Sequence, residues 1–386
     1  MVEWKKLVSV ANVLYGYPFE SSLFSEDSNY MPLIRIRDVK PAKASTYYSG
    51  EIREEYRIKK GDILVGMDGE FNLGRWDDRD GLLNQRVLKI SGKNGCSIDG
   101  YLFHYMGPVF KKIEKETAGG SVKHLSAKVI NNILIPIPSL SGQSRIVSIL
   151  DTFTSSISNL KQQIEERRKQ YEYERELLLD LEGKEGVEMK KLGEVCEIKN
   201  GYTPSTKKPE FWENGSIPWF TLEDIRKNGR ILSDAIKHIT PTGVKKSGLF
   251  PQNSIIVSTT ATIGEYALIT RDFLCNQQIS CISVKEATRG KLLPKYLYYL
   301  SNSIGNWCKK NVNGGGSLLI VSTSKLNNLF IPLPPLSTQS RIVSILDTFE
   351  QSISNLEEQL AMREKQYEYY RNQLLTFEGE EERGKT

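Results

Sequence analysis

Two stretches of the chain closely resemble each other, and they decide the fold. Residues 135–183 read IPIPSLSGQSRIVSILDTFTSSISNLKQQIEERRKQYEYERELLLDLEG, and residues 331–379 read IPLPPLSTQSRIVSILDTFEQSISNLEEQLAMREKQYEYYRNQLLTFEG. They align without a gap at an offset of 196, with 33 of 49 positions identical. Because self-similarity over such a length marks a repeated structural unit, we expect the same element to be built twice.

Both stretches are predicted to be long helices. Their apolar residues recur mostly at alternating steps of four and three, which is the period of a coiled-coil seam. Prolines hold the chain extended before each helix, and Gly183 and Gly379 are predicted to end the helices. Each helix would hold about 40 residues and span roughly 60 Å. The periodic apolar residues are Ile146, Leu150, Phe153, Ile157, Leu160, Ile164, Tyr171 and Leu178, and then Ile342, Leu346, Phe349, Ile353, Leu356, Leu360, Tyr367, Tyr370, Leu374 and Phe377. We expect a scaffold and partner-binding role for Ile146, Leu150, Phe153, Ile157, Leu160, Ile342, Leu346, Phe349, Ile353 and Leu356.

A globular block precedes each helix, and the two blocks resemble each other only weakly. The shared pairs are Gly16-Tyr17 with Gly201-Tyr202, and Asn84-Gln85 with Asn276-Gln277. We predict strands near each Asn-Gln pair and one helix in each block, around residues 101–115 and 295–309.

The predicted fold is α+β, with two globular α/β blocks separated by two long antiparallel coiled-coil helices and related by a pseudo-twofold axis. The predicted domains are 1–138 for the first block, 139–186 for the central spacer helix, 187–334 for the second block, and 335–386 for the C-terminal spacer helix with its acidic tail. Antiparallel packing would hold the two blocks at opposite ends of a rod.

Positive charge is concentrated on the two blocks. Residues 1–138 carry 20 Lys and Arg against 17 Asp and Glu, and residues 187–334 carry 19 against 11. The segments 139–186 and 335–386 are acidic, with 7 against 9 and 6 against 10. This distribution indicates two separate surfaces for a polyanion, because Lys and Arg neutralise phosphates. Ordinary surface charge explains the small excess of the first block equally well.

The residue types argue against a metal site and a disulfide framework. The five cysteines are odd in number and never spaced as C-x-x-C, and the three histidines are scattered, so we expect reduced thiols and no metal or cofactor. The N-terminus lacks the apolar core of a signal peptide and no run of 18 apolar residues occurs, so we expect a soluble cytoplasmic protein.

The sequence lacks the common catalytic motifs. The chain contains no Asn-Pro-Pro or Asp-Pro-Pro loop, His-Glu-x-x-His or Gly-x-Ser-x-Gly. Residues 379–386 fit the phosphate-loop pattern G-x-x-x-x-G-K-T, but a helix precedes them, three glutamates fill them and no helix can follow. We interpret them as a solvated tail.

The junctions into the helices carry a family resemblance. The string N-N-x-x-I-P-x-P-x-L-x-x-Q-S-R-I-V-x-I-L-D occurs at residues 131–151 and again at 327–347, and each follows a block with an Asn-Gln pair. Together with the W-K-K-L and M-K-K-L-G-E-V starts and the segment I-P-W-F-T-L-E-D-I, this doubled layout resembles the specificity subunits of type I restriction-modification enzymes. The resemblance covers essentially the whole chain.

The resemblance implies a non-catalytic subunit that reads a gapped, bipartite target in double-stranded DNA with two target-recognition domains. Its helices would bind two copies of a modification methyltransferase subunit, which restriction subunits (motor and nuclease) would then join, with no membrane involved. Methyl transfer, translocation and cleavage would belong to those partners.

Candidate DNA contacts are basic, amide and small polar side chains near predicted loops. In the first block they are Arg35, Arg37, Lys40, Lys43, Asp68, Asn72, Arg75, Gln85, Arg86 and Lys123. In the second they are Thr221, Glu223, Arg226, Lys227, Arg230, Lys245, Lys246, Thr259, Thr260, Gln277 and Gln278. Glycine-rich segments at residues 120–124 and 315–317 would let the backbone approach phosphates. Each candidate has an alternative explanation. Arg35 and Arg37 alternate on a predicted strand and could share a solvated sheet face. Asn84 and Asn276 could serve the fold alone by capping turns.

Two other functions stay open on these residues. The chain could serve a fused methyltransferase-nuclease as its specificity subunit, which only the partner would reveal. Alternatively, it could be a coiled-coil adaptor whose blocks bind other proteins, and this would predict weak DNA binding that is indifferent to sequence.

Overall fold

A computed structural model describes residues 2–116, 123–313 and 319–377. The chain divides into two compact units, one formed by Met1–Gln162 with Glu357–Thr386 and the other by Gln163–Leu356. Each unit therefore combines one globular block with parts of both long helices.

The first block mixes short strands with short helices. Its strands are β1 (Glu3–Lys6), β2 (Ala11–Tyr15), β3 (Phe24–Ser25), β4 (Met31–Ile34), β5 (Tyr47–Tyr48), β6 (Arg57–Ile58), β7 (Ile63–Gly66), β8 (Leu73–Arg75), β9 (Gly81–Leu83), β10 (Val87–Gly92) and β11 (Leu134–Ile137). Its helices are α1 (Leu7–Val10), α2 (Ile36–Val39), α3 (Asp99–Glu116) and α4 (Ala127–Asn132), and the chain then enters α5 (Leu140–Leu179).

The strands of the first block form three sheets. One has the order β2-β10-β7-β8, with antiparallel neighbours, and a second has the order β3-β5-β4-β9-β6. The first and last strands, β1 and β11, pair with each other, with Glu3 opposite Ile137. This ladder closes the block immediately before α5 begins.

The second block uses the same kinds of elements. Its strands are β12 (Glu188–Lys191), β13 (Cys196–Asn200), β14 (Ile217–Phe220), β15 (Ile231–Leu232), β16 (Lys237–Ile239), β17 (Ser254–Ser258), β18 (Tyr266–Ile269), β19 (Leu274–Cys275), β20 (Ile279–Val284) and β21 (Phe330–Leu333). Its helices are α6 (Leu192–Val195), α7 (Leu222–Asn228), α8 (Pro294–Lys310) and α9 (Thr323–Asn327), followed by α10 (Leu336–Leu375).

The second block repeats the topology of the first. The order β13-β20-β17-β18 reproduces β2-β10-β7-β8, with β15 added at its edge, and β12 pairs with β21 as β1 pairs with β11. The helix predicted in each block is present as α3 and α8. The predicted α+β character and the duplication of the blocks are therefore confirmed.

Both long helices contain 40 residues, as predicted. The prediction that Gly183 stops the first one was wrong, because α5 ends at Leu179 and Gly183 follows in a turn with φ of 73°. The chain leaves the helix early because Leu181 folds into the core of the second block, where it is buried. Gly379 lies outside the described residues.

The apolar stripe of each long helix contributes to more than a helix–helix seam. Ile146 and Leu150 join the core that contains Tyr101 of α3. Ile342 and Leu346 likewise join the core around Tyr296 of α8. The first turns of both long helices are therefore part of the hydrophobic core of the block that precedes them.

Later parts of the stripe pair helix with helix. In the first unit Phe153 stacks on Tyr370, with 5.2 Å between ring centroids, and Lys161 forms an ion pair of 3.0 Å with Glu364. Since the later residue of α5 meets the earlier residue of α10, the helices of this unit run antiparallel. In the second unit Tyr171 lies 6.4 Å from the Phe349 ring.

Candidate nucleic-acid interface

The Gly-Tyr and Asn-Gln pairs noted in the sequence contact each other in the first block. The backbone N–H of Tyr17 donates to the carbonyl of Leu83, at 2.9 Å. A Cβ on Gly16 would lie 2.0 Å from the carbonyl oxygen of Asn84, which is closer than any side chain tolerates. Glycine is therefore required where the chain crosses the turn between β9 and β10, and Gln85 is left exposed at that turn.

The second block contains the same contact. Tyr202 donates its N–H to the carbonyl of Cys275 at 2.8 Å, and a Cβ on Gly201 would lie 2.2 Å from that oxygen. The Asn276 side chain accepts from the N–H of Gln278 at 3.0 Å, so Asn276 shapes the turn. The exposed Gln277 accepts a hydrogen bond from the Thr203 hydroxyl.

A second loop lies beside the Asn-Gln turn of the first block and brings predicted contact residues together. Met67 donates its N–H to the carbonyl of Arg86 at 2.9 Å, and Arg86 pairs with Asp68 at 3.1 Å. His124 also contacts Asp68, at 2.5 Å. Gly69 donates to the carbonyl of Lys123 at 3.1 Å. Asp68, Gln85, Arg86 and Lys123 therefore share one face of the block.

The corresponding loop of the second block places Thr259 and Thr260 beside Gln278. Thr259 donates its N–H to the Gln278 carbonyl at 2.9 Å, and Thr260 bridges to Ile320. Thr259 is only 3% exposed as a whole residue, and its hydroxyl lies 3.1 Å from that of Ser280. Thr259 was therefore wrongly predicted as a side-chain contact, because its hydroxyl is used inside the fold.

The glycine-rich segments predicted beside these loops are described only in part. Residues 120–122 and 315–317 lie outside the described residues. Lys123 is described, and its ammonium lies 3.2 Å from the Glu114 carboxylate. Asn72 is half-buried in the same loop, where its carbonyl accepts from Gly66 at 2.9 Å.

Arg35 and Arg37 do not alternate on a strand, contrary to the prediction. The strand β4 ends at Ile34, and a helical turn, α2, begins because the Asp38 carboxylate accepts from the N–H of Arg35 at 2.9 Å. The Arg37 guanidinium donates to the hydroxyls of Ser45 and Thr46, at 2.9 and 2.8 Å. Lys40 and Lys43 are exposed nearby.

The second block builds the same turn at Thr221, whose N–H donates to Asp224 at 2.7 Å. Most of the predicted contacts on this turn already have partners. Glu223 pairs with Lys227 at 2.6 Å, Arg226 with Glu265 at 2.8 Å, and Arg230 donates to the Tyr266 hydroxyl at 2.5 Å. The Glu223–Lys227 ion pair is exposed and weak in water, so a phosphate can compete for the Lys227 ammonium. Lys246 is exposed and adjoins Lys245.

Arg75 serves the fold, which corrects its prediction as a DNA contact. Its guanidinium lies 3.2 Å from the Asp151 carboxylate of α5 and 4.5 Å from the centre of the Phe103 ring. His104 reaches the same carboxylate at 2.7 Å. Arg75 therefore fastens the block to its long helix instead of facing a ligand.

The equivalent carboxylate in the second unit, that of Asp347 on α10, is held differently. Lys295 donates to it at 2.8 Å, and the Tyr299 hydroxyl donates to its other oxygen. His104 stands at the position of Tyr299, and burial lowers the pKa of His104 despite the neighbouring Asp151. The histidine is therefore kept neutral in the first unit.

Two buried glutamines of the repeated motif were missed in the sequence. The Gln143 side chain accepts from the N–H of Ile98 at 2.9 Å and donates to the carbonyls of Cys96 and Pro138, both at 3.0 Å. Gln339 makes the same three bonds in the second unit, with Leu293, Lys291 and Pro334. Both copies of the motif have glutamine at this position, and this agreement was the feature of the sequence that could have indicated a structural role. Each glutamine fixes the start of a long helix to its block.

The described residues contain no cluster of metal ligands, and two of their thiols are deeply buried. Within residues 2–116, 123–313 and 319–377, no three His, Cys, Asp or Glu side chains gather as metal ligands. Burial raises the pKa of the Cys196 and Cys281 thiols to about 12, so they are protonated and unreactive. Over the same part of the chain, the helices are too short or too polar to span a bilayer.

Comparison with known proteins defines the family. The model of the type I restriction modification DNA specificity domain matches twice, at residues 1–167 and 184–362. The specificity subunit of the Escherichia coli enzyme EcoR124I/EcoR124II is 34% identical over 350 residues, which cover 86% of this chain and 84% of that subunit. The chain belongs to the family of specificity subunits of type I restriction-modification systems.

Two further relatives are similar. The specificity subunit of Escherichia coli EcoprrI is 44% identical over 210 residues, and this match spans about half of each protein, 52%. The crystal structure of the S subunit of a type I restriction-modification system from M. genitalium has the same fold, with a TM-score of 0.61 at 14% identity and 97% coverage of both chains. Specificity subunits supply DNA sequence recognition, and the catalytic activities lie in partner subunits.

Proposed function

We propose that this chain reads a bipartite DNA target, with the first block reading one half and the second block the other. The observation that carries the proposal is the duplicated crossing of Gly16-Tyr17 and Gly201-Tyr202 over their Asn-Gln turns. Two blocks with one topology present equivalent polar loops, and the side chains at the tips of those loops differ. Two blocks with the same topology but different side chains at their loop tips would suit a DNA target whose two halves differ in sequence.

The divergent positions at the turns fit base reading. Arg86 follows Gln85 in the first block, whereas Gln278 follows Gln277 in the second. Arginine pairs well with guanine and glutamine with adenine in the major groove, so this difference would favour different bases. The proposal includes all the DNA contacts predicted for the two blocks, with two exceptions, Arg75 and the side chain of Thr259.

The long helices would set the distance between the two half-sites and bind the partners. Each helix contributes to both compact units, and Gln143 and Gln339 fix the two helix starts in the same way. Since the repeated segments share 33 of 49 residues, they would offer two similar surfaces to two copies of one methyltransferase subunit. The domain limits at 138, 186 and 334 and a cytoplasmic location belong to the same proposal.

The direct test compares methylated positions in host DNA when the gene is intact, deleted and restored. We expect one methylated motif with two unlike halves and a fixed gap, which disappears on deletion and returns on restoration. A motif that persists without the gene would contradict the proposal, and so would sequence-indifferent binding by the assembled complex. The second of these results is what the adaptor alternative predicts.

The spacing role has its own test. Seven residues inserted in each helix, after Lys161 in α5 and after Arg363 in α10, preserve the coiled-coil period. Each insertion lengthens its helix by about 10 Å at about 1.5 Å per residue, which is about three base pairs. We expect the gap of the methylated motif to lengthen by about this amount with both halves unchanged. An unchanged gap would show that the helices do not set it.

A further inference from the structure

A cation lies over a tyrosine ring at the same place in both blocks. The Arg53 guanidinium carbon is 4.3 Å from the centre of the Tyr17 ring, and the Lys245 ammonium is 4.3 Å from the centre of the Tyr202 ring. Arg53 and Lys245 are 192 residues apart, which is also the offset between the two Asn-Gln turns. The two pairs therefore occupy equivalent positions, although the sequence around each cation has diverged.

Each pair is held beside its Asn-Gln turn. The tyrosines are fixed by the backbone hydrogen bonds that link them to the last residue before the turn, and the glycine before each tyrosine admits no side chain. In the second block the N–H of Lys245 also donates to the Tyr202 hydroxyl at 2.8 Å, so the lysine is anchored at its backbone and over the ring. The cation is thus placed next to the proposed base-reading loop.

The charged groups of Arg53 and Lys245 are accessible to a ligand from solvent. Both side chains are exposed, and within the described residues Lys245 forms no ion pair. The Arg53 guanidinium lies 3.8 Å from the Glu55 carboxylate, and both of these side chains are about half exposed. A ring beneath a cation restrains it while its outward N–H groups stay free.

We propose that Tyr17–Arg53 and Tyr202–Lys245 are two phosphate-binding sites that position the DNA backbone under each block. This inference rests on the proposed function. Arginine and lysine alternate at this position, and they share charge but not the bidentate geometry that reads guanine. A phosphate contact tolerates that exchange, whereas a base contact does not. Features common to two blocks that read unlike half-sites would serve the part of binding that is independent of sequence.

The test is the salt dependence of binding to a short duplex of mixed sequence, measured with the complete chain in its methyltransferase complex. Each phosphate contact contributes about 0.9 to the slope of log affinity against log salt. Arg53→Gln and Lys245→Gln should each reduce the slope by about 0.9, and the double variant by about 1.8. When salt rises from roughly 50 to 200 mM, the affinity of the parent falls by some factor, and the factor for each single variant should be about 3.5 times smaller.

Matched variants separate charge at this site from charge in general. Lys60 is more exposed than Arg53, at 71% against 46% of its side chain, and like Arg53 it lies near one carboxylate, that of Asp77 at 2.8 Å. Because Lys60 precedes β7 at the end of the sheet away from the Asn-Gln turn, Lys60→Gln should leave the slope unchanged. Arg53→Lys and Lys245→Arg should retain both the slope and the methylated motif. An unchanged slope in either glutamine variant, or an altered motif in either charge-retaining variant, would overturn the inference. If the parent complex methylates its motif normally in that case, only this inference fails and the proposed function stands.

Discussion

Replacing Gln143 by alanine should loosen the first unit alone. The side chain is fully buried and makes three hydrogen bonds to backbone groups at the junction of block and helix. At about 1 kcal/mol for each lost bond, the first unit should lose about 3 kcal/mol of its opening free energy. Amide hydrogen exchange of β10 should then accelerate on the order of 100-fold, because about 1.4 kcal/mol corresponds to a factor of ten.

Exchange measured by mass spectrometry distinguishes the two units in one sample. In the Gln143→Ala variant β20 should exchange as in the parent, and in Gln339→Ala the effect should move from β10 to β20. Gln163→Ala is the matched control, since Gln163 is exposed on α5. An acceleration below tenfold in β10, or an equal acceleration in both strands, would refute the reasoning that each glutamine fixes its own helix start.

Three further substitutions test single contacts. Gly201→Ala places a Cβ 2.2 Å from the Cys275 carbonyl, so exchange of β20 should report a loss of about 1–3 kcal/mol in the second unit. Burial lowers the pKa of His104, so the unfolded state binds more protons, and the stability of the first unit should fall as the pH drops below 6.5. His104→Tyr should flatten that fall in the urea midpoint, because the tyrosine hydroxyl can donate to Asp151 without titrating. Arg75→Gln should destabilise the first unit and leave the salt slope of DNA binding unchanged. A reduced slope would show that Arg75 contacts a DNA phosphate after all.

The architecture could be predicted from the sequence because its signals are local and repeated. The heptad stripe through Leu150 and Leu346 predicts a helix without knowledge of any partner, and the duplication predicts it twice. The helices around Tyr101 and Tyr296 follow from the same kind of periodicity. The end of α5 was misjudged because Gly183 is a local signal, whereas burial of Leu181 is a tertiary event.

The site was predicted only in part, because its contacts join residues far apart in sequence. The Gly-Tyr and Asn-Gln pairs were both visible, but nothing in the sequence says that Gly16 crosses Asn84. Arg35 and Arg37 alternate with isoleucines like a strand, yet one carboxylate three residues after Arg35 starts a helical turn. Arg75 is basic and near a loop, and only the fold places Asp151 opposite it.

Exchanging one block within the chain tests the central claim most directly. The variant replaces residues 3–137 by residues 188–333, so that each block is still closed by its own first and last strands. The receiving helix keeps the residues that hold the second block, since Gln143 matches Gln339 and Asp151 matches Asp347. Methylated positions are then mapped in DNA from cells that carry this variant. We predict a palindromic motif in which both halves are the half-site of the second block, and a motif that retains the original first half would contradict the account.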